Sequence, residues 1–127
     1  MTGLQPRRLE AITLVGIGGF AGANLRYLVE LLVPATLVAT ALINILGSAA
    51  LGFIFYESRF SGGLSASGRR VLATGLLSSF TTYSTFVVDA VLAEPLIGAG
   101  YVAGSYALGF LGVLVGREVA LLAGGER

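Results

Sequence analysis

Residues 74–86 read TGLLSSFTTYSTF, and eight of these thirteen side chains carry a hydroxyl. The stretch lies inside an uncharged run from 71 to 88. What so much polarity does in so apolar a setting decides how the chain folds.

Around it the composition is extreme. The chain has 127 residues, 55% of them hydrophobic and 12% charged, with a mean hydropathy of +0.87. That is far to the apolar side of soluble domains and reads first as a membrane protein. The uncharged runs are 11–25, 31–56, 71–88 and 95–116. With polar helix ends added they give segments of about 20 residues, the length that crosses a bilayer core. The predicted spans are 11–33, 35–56, 71–93 and 96–121. Short tails remain, with tight connections near Pro34 and Pro95 and one polar loop, ESRFSGGLSASGRR, at 57–70. The expectation is an all-α integral membrane protein of four transmembrane helices, a single domain over 1–127 with no room for a soluble catalytic module. Arg7 and Arg8, an apolar stretch and then Ala21-Gly22-Ala23 imitate a secretory signal. Three further spans follow, so the first helix is read as retained.

Several functions are excluded at once. There is no cysteine and no histidine, which removes thiolate chemistry and the usual transition-metal ligands. No nucleophile with a base and no cofactor motif appears, so an enzyme is not expected. A net charge of +1 argues against a nucleic-acid partner.

Four spans put both tails and the 57–70 loop on one side. That side holds Arg7, Arg8, Arg59, Arg69, Arg70, Arg117 and Arg127, while the other has only Arg26, within the end of the first span. By the positive-inside rule both termini are expected in the cytoplasm of a multi-pass cell-membrane protein, in a nearly unique orientation. Pairs of small residues four apart, Gly18 with Gly22, Gly100 with Gly104, Gly112 with Gly116 and Ser48 with Gly52, predict close helix contacts.

A polar stripe crosses mid-membrane. Thr40, Asn44 and Ser48 share a helical face in the second span, and Tyr101, Ser105 and Gly109 repeat the spacing in the last. An amide at the depth of Asn44 must find a partner, whether as interhelical glue or as part of a site. In the third span Gly75, Ser78, Ser79 and two threonines compete with backbone hydrogen bonds. Two readings of that spacing stay open. Either the helix breaks, which at this depth requires burial or a hydrated cavity and frees carbonyls for a cation, or it continues with its hydroxyls bonded one turn back. Tyr83 and Phe86, with Ser84 and Thr85 between them, can present ring edges and hydroxyls on one face. Positive ring edges, hydroxyls and an amide attract an anion without a fixed charge that would trap it. Arg26, with Glu30 one turn on, either draws anions to a mouth or snorkels. Asp89 is given no role in such a pathway.

The blocks GGFAGANLRY at 18–27, TALINILG at 40–47 and TTYSTF at 81–86 resemble, in order and spacing, the signature blocks of the CrcB/Fluc fluoride channels. The resemblance covers essentially the whole chain. It implies a passive, fluoride-selective channel that lowers cytoplasmic fluoride, built as an antiparallel dimer whose third helices are broken. It also implies one structural, untransported Na+ at the dimer centre, held by the backbone carbonyls of Ser78 and Thr81. The fluoride pathway would then comprise Asn44, Tyr83, Ser84, Thr85, Phe86, Tyr101 and Ser105, with Arg26 in a vestibule. The chain departs from the family where Ser78-Ser79 replaces a usual Gly-Gly pair and Tyr83 a usual Phe. Together with the arginine asymmetry, these departures point to a heterodimer with an oppositely oriented homologue, the alternative being a homodimer. Two other functions compete. A small four-span multidrug-type transporter needs a protonatable carboxylate in mid-span, whereas Glu10 and Glu30 lie at the edges of the first. A non-conducting membrane assembly subunit would use its polar face only to bind other helices.

Overall fold

A computed structural model describes residues 5–124. Its elements are α1 (Pro6–Leu32), α2 (Thr36–Phe60), α3 (Ala66–Arg69), a π-helical stretch (Arg70–Leu77), α4 (Ser78–Phe80), α5 (Ser84–Leu92) and α6 (Pro95–Gly124). Four helical spans are long and apolar enough to cross a membrane: Pro6–Leu32, Thr36–Phe60, Ala66–Leu92 and Pro95–Gly124. The expected four-crossing, all-α plan is therefore present. Each crossing is longer at its polar end than hydropathy alone marks, because helix continues into residues that reach water. Arg127, which the sequence puts with the basic side, lies outside the described residues.

Local chemistry sets the ends. Pro6 opens α1, where its missing N–H costs nothing, and Pro34 follows the end of α1. At the end of α2 the amides of Ser61 and Gly62 both donate to the carbonyl of Glu57 at 2.9 Å. Gly62 has φ +63°, the left-handed conformation that a side chain disfavours. The Glu57 carboxylate then accepts from the amides of Gly63, at 2.6 Å, and Leu64, at 3.1 Å. Ser65 caps α3 by accepting from the Gly68 amide at 3.0 Å.

The crossings pack chiefly as two pairs, α2 along α6 and α1 along the π-helical stretch. Both seams are built on glycine. A methyl added at Gly18 or Gly22 would collide with the backbone of Val71 or Leu76, and one at Gly116 with Ala49. The same is not true of every expected contact: Gly100 and Gly104 have nothing within 4 Å of an added methyl, so neither forms a seam within the chain. Among the large side chains of the described residues only Ile43 is fully enclosed, while Phe20, Leu32, Val91, Leu92, Leu96 and Leu122 are more than two-thirds exposed. In lipid such exposure carries no penalty, and association rests on close van der Waals approach.

Gly22→Val should lower stability by about 1–3 kcal/mol or prevent folding, as overpacking does. Gly104→Ala, which meets nothing, should leave it unchanged. Thermal melting of the two purified variants in detergent checks the contrast.

Candidate functional site

Helical backbone stops at Phe80 and resumes at Ser84. Between them Thr81 is extended, with φ −75° and ψ 157°. Hydrogen bonds lost there must be replaced, because the surrounding lipid offers none. Asn44 of α2 supplies the replacement: its Nδ2 donates to the Thr82 carbonyl at 2.9 Å, and its Oδ1 accepts from the Thr82 amide at 2.9 Å. One side chain thus satisfies both backbone groups of one residue 38 positions away. The Thr82 amide, pointed at Asn44, is not available to the Ser78 carbonyl one turn back. No backbone amide among the described residues donates to the carbonyls of Ser78 or Thr81.

The hydroxyls of the third crossing divide into two groups. Ser78 Oγ donates to the carbonyls of Thr74 and Gly75, and Thr81 Oγ1 to that of Leu77 at 2.9 Å. These are bonds to the preceding turn. Thr82 Oγ1 accepts from the Thr85 amide at 3.3 Å and lies 3.1 Å from Thr85 Oγ1, in the first turn of α5. Tyr83 and Ser84 are exposed on the single chain.

Two hollows flank Asn44. One, of about 280 Å³, is lined by Asn44, Ser48, Tyr83, Phe86, Ser105, Tyr106 and residues of α6 beyond them. The other, of about 380 Å³, is lined by Asn44, Gly47, Ser48, Leu51, Ala73, Leu77, Ser78, Thr81, Thr82 and Tyr83. Phe86, 8% exposed, is the aromatic hub of the first. Its ring lies 5.3 Å from that of Tyr101, 6.0 Å from that of Tyr83, and 6.0 Å edge-on from that of Tyr106. The Ser105 and Tyr101 hydroxyls are buried without a hydrogen-bond partner.

Of the residues singled out by sequence, Asn44, Tyr83, Phe86 and Ser105 therefore share one hollow, and Ser78 and Thr81 share its neighbour. Tyr101 stacks behind Phe86, and Thr85 is tied to Thr82. Ser84 and Arg26 line neither hollow; Arg26 Nε lies 3.7 Å from Glu30, so it is paired. Sequence reasoning left two groups unjoined. Thr40 Oγ1 donates to the buried Asp89 carboxylate at 2.8 Å, linking α2 to α5, with Tyr101 beside them. Forty-nine residues separate Thr40 from Asp89, and no local spacing signals the contact. Among the described residues no group of three or more Asp, Glu, His or Cys side chains could hold a metal.

The Asn44 bonds give a stability test. Asn44→Ala leaves the Thr82 N–H and C=O both unpaired in an apolar setting, at a cost of roughly 2–4 kcal/mol. Asn44→Asp keeps the acceptor for the amide but sets an oxygen against the Thr82 carbonyl, and should be nearly as destabilising. Melting temperatures of both variants against the wild type provide the measurement.

Comparison with known proteins adds the relationship. A family model described as "CrcB-like protein, Camphor Resistance (CrcB)" matches residues 13–117. A protein of Haloarcula marismortui named "Fluoride-specific ion channel FluC 1" is 55% identical over 118 residues, covering 92% of this chain and 91% of its own length. One of Halobacterium salinarum named "Fluoride-specific ion channel FluC 2" is 46% identical over 125 residues, 96% of this chain and 97% of its own. A third, of Natronomonas pharaonis and named "Fluoride-specific ion channel FluC 1", is 44% identical over 117 residues, 91% and 96% of the two.

Proposed function

The chain belongs to the CrcB family, and on that premise we propose that it is a fluoride-selective channel carrying the ion passively out of the cytoplasm. The relatives it matches are named as ion channels, which agrees with the lack of any enzymatic constellation. The observation that carries the reading is the buried, unpartnered Ser105 hydroxyl, which lines the same hollow as Asn44 and Phe86. A buried donor without an acceptor costs on the order of 1–3 kcal/mol. A small anion passing the hollow supplies that acceptor.

The lining has the right strength. Ring edges of Tyr83 and Phe86, the Ser105 hydroxyl and the second N–H of the Asn44 amide are donors of no net charge. They replace the water stripped from a compact halide, yet hold it too weakly to trap it. A larger halide gains less from the same short contacts. Asn44 has a double task in this reading: it keeps the third crossing open as a broken helix and lends one proton to the path. Tyr83 and Ser84, exposed on the lone chain, fit a wall completed by a second, inverted subunit, either a copy of this chain or a homologue. The arginine-rich terminal side is assigned to the cytoplasm.

Structural Na+ fits the donor set. The carbonyls of Ser78 and Thr81 receive no backbone amide, both residues line one hollow, and carbonyl oxygens suit a hard cation. Bound there, the ion would supply a fixed positive charge and a bridge between subunits. Ser78 and Thr81 would hold it through main-chain oxygens, so their side chains stay free to bond back along the helix.

Reconstituted into liposomes, the protein should release fluoride far faster than chloride. Ser105→Ala should slow fluoride several-fold while chloride stays excluded, since one hydrogen bond to a charged group is lost. Equal rates for the two anions in the wild type would refute selectivity, and unchanged fluoride flux in Ser105→Ala would remove that hydroxyl from the path.

A further inference from the structure

Resting on the channel reading, we propose that the Arg59–Arg69 end of the molecule is the anion-collecting mouth, and that the Arg26 end is not. A third hollow, of about 390 Å³, is lined by Leu51, Ile54, Phe55, Ser58, Arg59, Arg69 and Ala73. It shares Leu51 and Ala73 with the hollow that holds Ser78, Thr81 and Asn44. The two are neighbours along α2 and the third crossing, the arginines lining one and the mid-membrane amide the other.

Charge makes this groove one-sided. No carboxylate lines either hollow, and among the described residues neither Arg59 nor Arg69 forms a salt bridge. Arg69 is fixed in place through Nη1, which donates to the Leu64 carbonyl at 2.7 Å, a bond that anchors the guanidinium without neutralising it. The nearest acid in sequence, Glu57, lines a different hollow and is held by the Gly63 and Leu64 amides. Ser58 Oγ is buried with no partner, a donor left open beside the two cations. Arg26, by contrast, is paired with Glu30, so its end offers an anion little net attraction. Two unpaired cations at the rim of a low-dielectric groove raise the local anion concentration and the rate of entry. The neutral lining further in keeps the ion moving. With an inverted second subunit, one such mouth opens on each face of the membrane.

The effect must be electrostatic, so salt separates it from a structural role. Full-length wild type, Arg59→Gln/Arg69→Gln and Arg59→Lys/Arg69→Lys would be reconstituted in liposomes of uncharged lipid. Fluoride efflux would be measured at about 10 mM and about 1 M inert salt, where the Debye length falls from roughly 30 Å to 3 Å. The glutamine double variant should run about three- to fivefold slower than wild type at low salt and within a factor of about two at high salt, while the lysine variant keeps wild-type rates. An equal deficit at both salts, or loss of rate in the lysine variant, would make the arginines structural and overturn the proposal. So would a glutamine variant as fast as wild type at low salt. The assay would be repeated in liposomes containing an anionic phospholipid: a deficit seen only there would make the arginines lipid anchors and would also overturn the proposal. A wild type that passes no fluoride would refute the channel reading itself, which the variants' rates do not address.

Discussion

Everything in the middle of this protein turns on one amide. A chain that leaves the helix inside a membrane exposes N–H and C=O groups to a solvent that cannot bond them, each at a cost of several kcal/mol. Asn44 meets that demand at Thr82 with a donor and an acceptor, as a neighbouring β-strand would. Its consequence extends past Thr82. With the Thr82 amide turned toward α2 and the Thr85 amide taken by Thr82 Oγ1, the carbonyls of Ser78 and Thr81 are left without helical partners, and Tyr83 lies out beside Phe86.

The rest of the fold keeps this arrangement in register. Gly18 and Gly22 let α1 touch the backbone of the π-helical stretch, and Gly116 lets α6 touch α2. Such contacts leave no slack for a helix to slide, because what meets across the seam is backbone rather than a flexible side chain. The Thr40–Asp89 hydrogen bond ties the far side of the irregular segment to α2, the same helix that carries Asn44. One helix thus holds the irregular segment at Thr82 and α5 beyond it at Asp89.

Polarity is spent unevenly along the crossing. Most hydroxyls of 74–86 that form hydrogen bonds are turned to carbonyls of their own turn or to the start of α5. The buried donor left without a partner in the hollow beside Phe86 comes from α6, as Ser105. That division explains how a hydroxyl-rich segment can be rigid and a site can still have free protons to offer. Charge is sorted to the rim, where among the described residues Arg59 and Arg69 form no salt bridge while Arg26 is paired with Glu30.

Sequence alone determined the four crossings, their short connections and the family, because each follows from hydropathy, length or motif order along the chain. It also placed Asn44, Tyr83, Phe86 and Ser105 on faces that meet in one hollow. It could not decide what those groups bond to. Whether the hydroxyls of Ser78 and Thr81 face a path or their own helix, that Thr40 finds Asp89, and that Gly112 and Gly116 lie on a seam but Gly100 does not, depend on how the crossings sit against one another. Hydrogen bonds in lipid are settled by which partner comes within reach, and reach is a property of the packed helices rather than of spacing within any one of them.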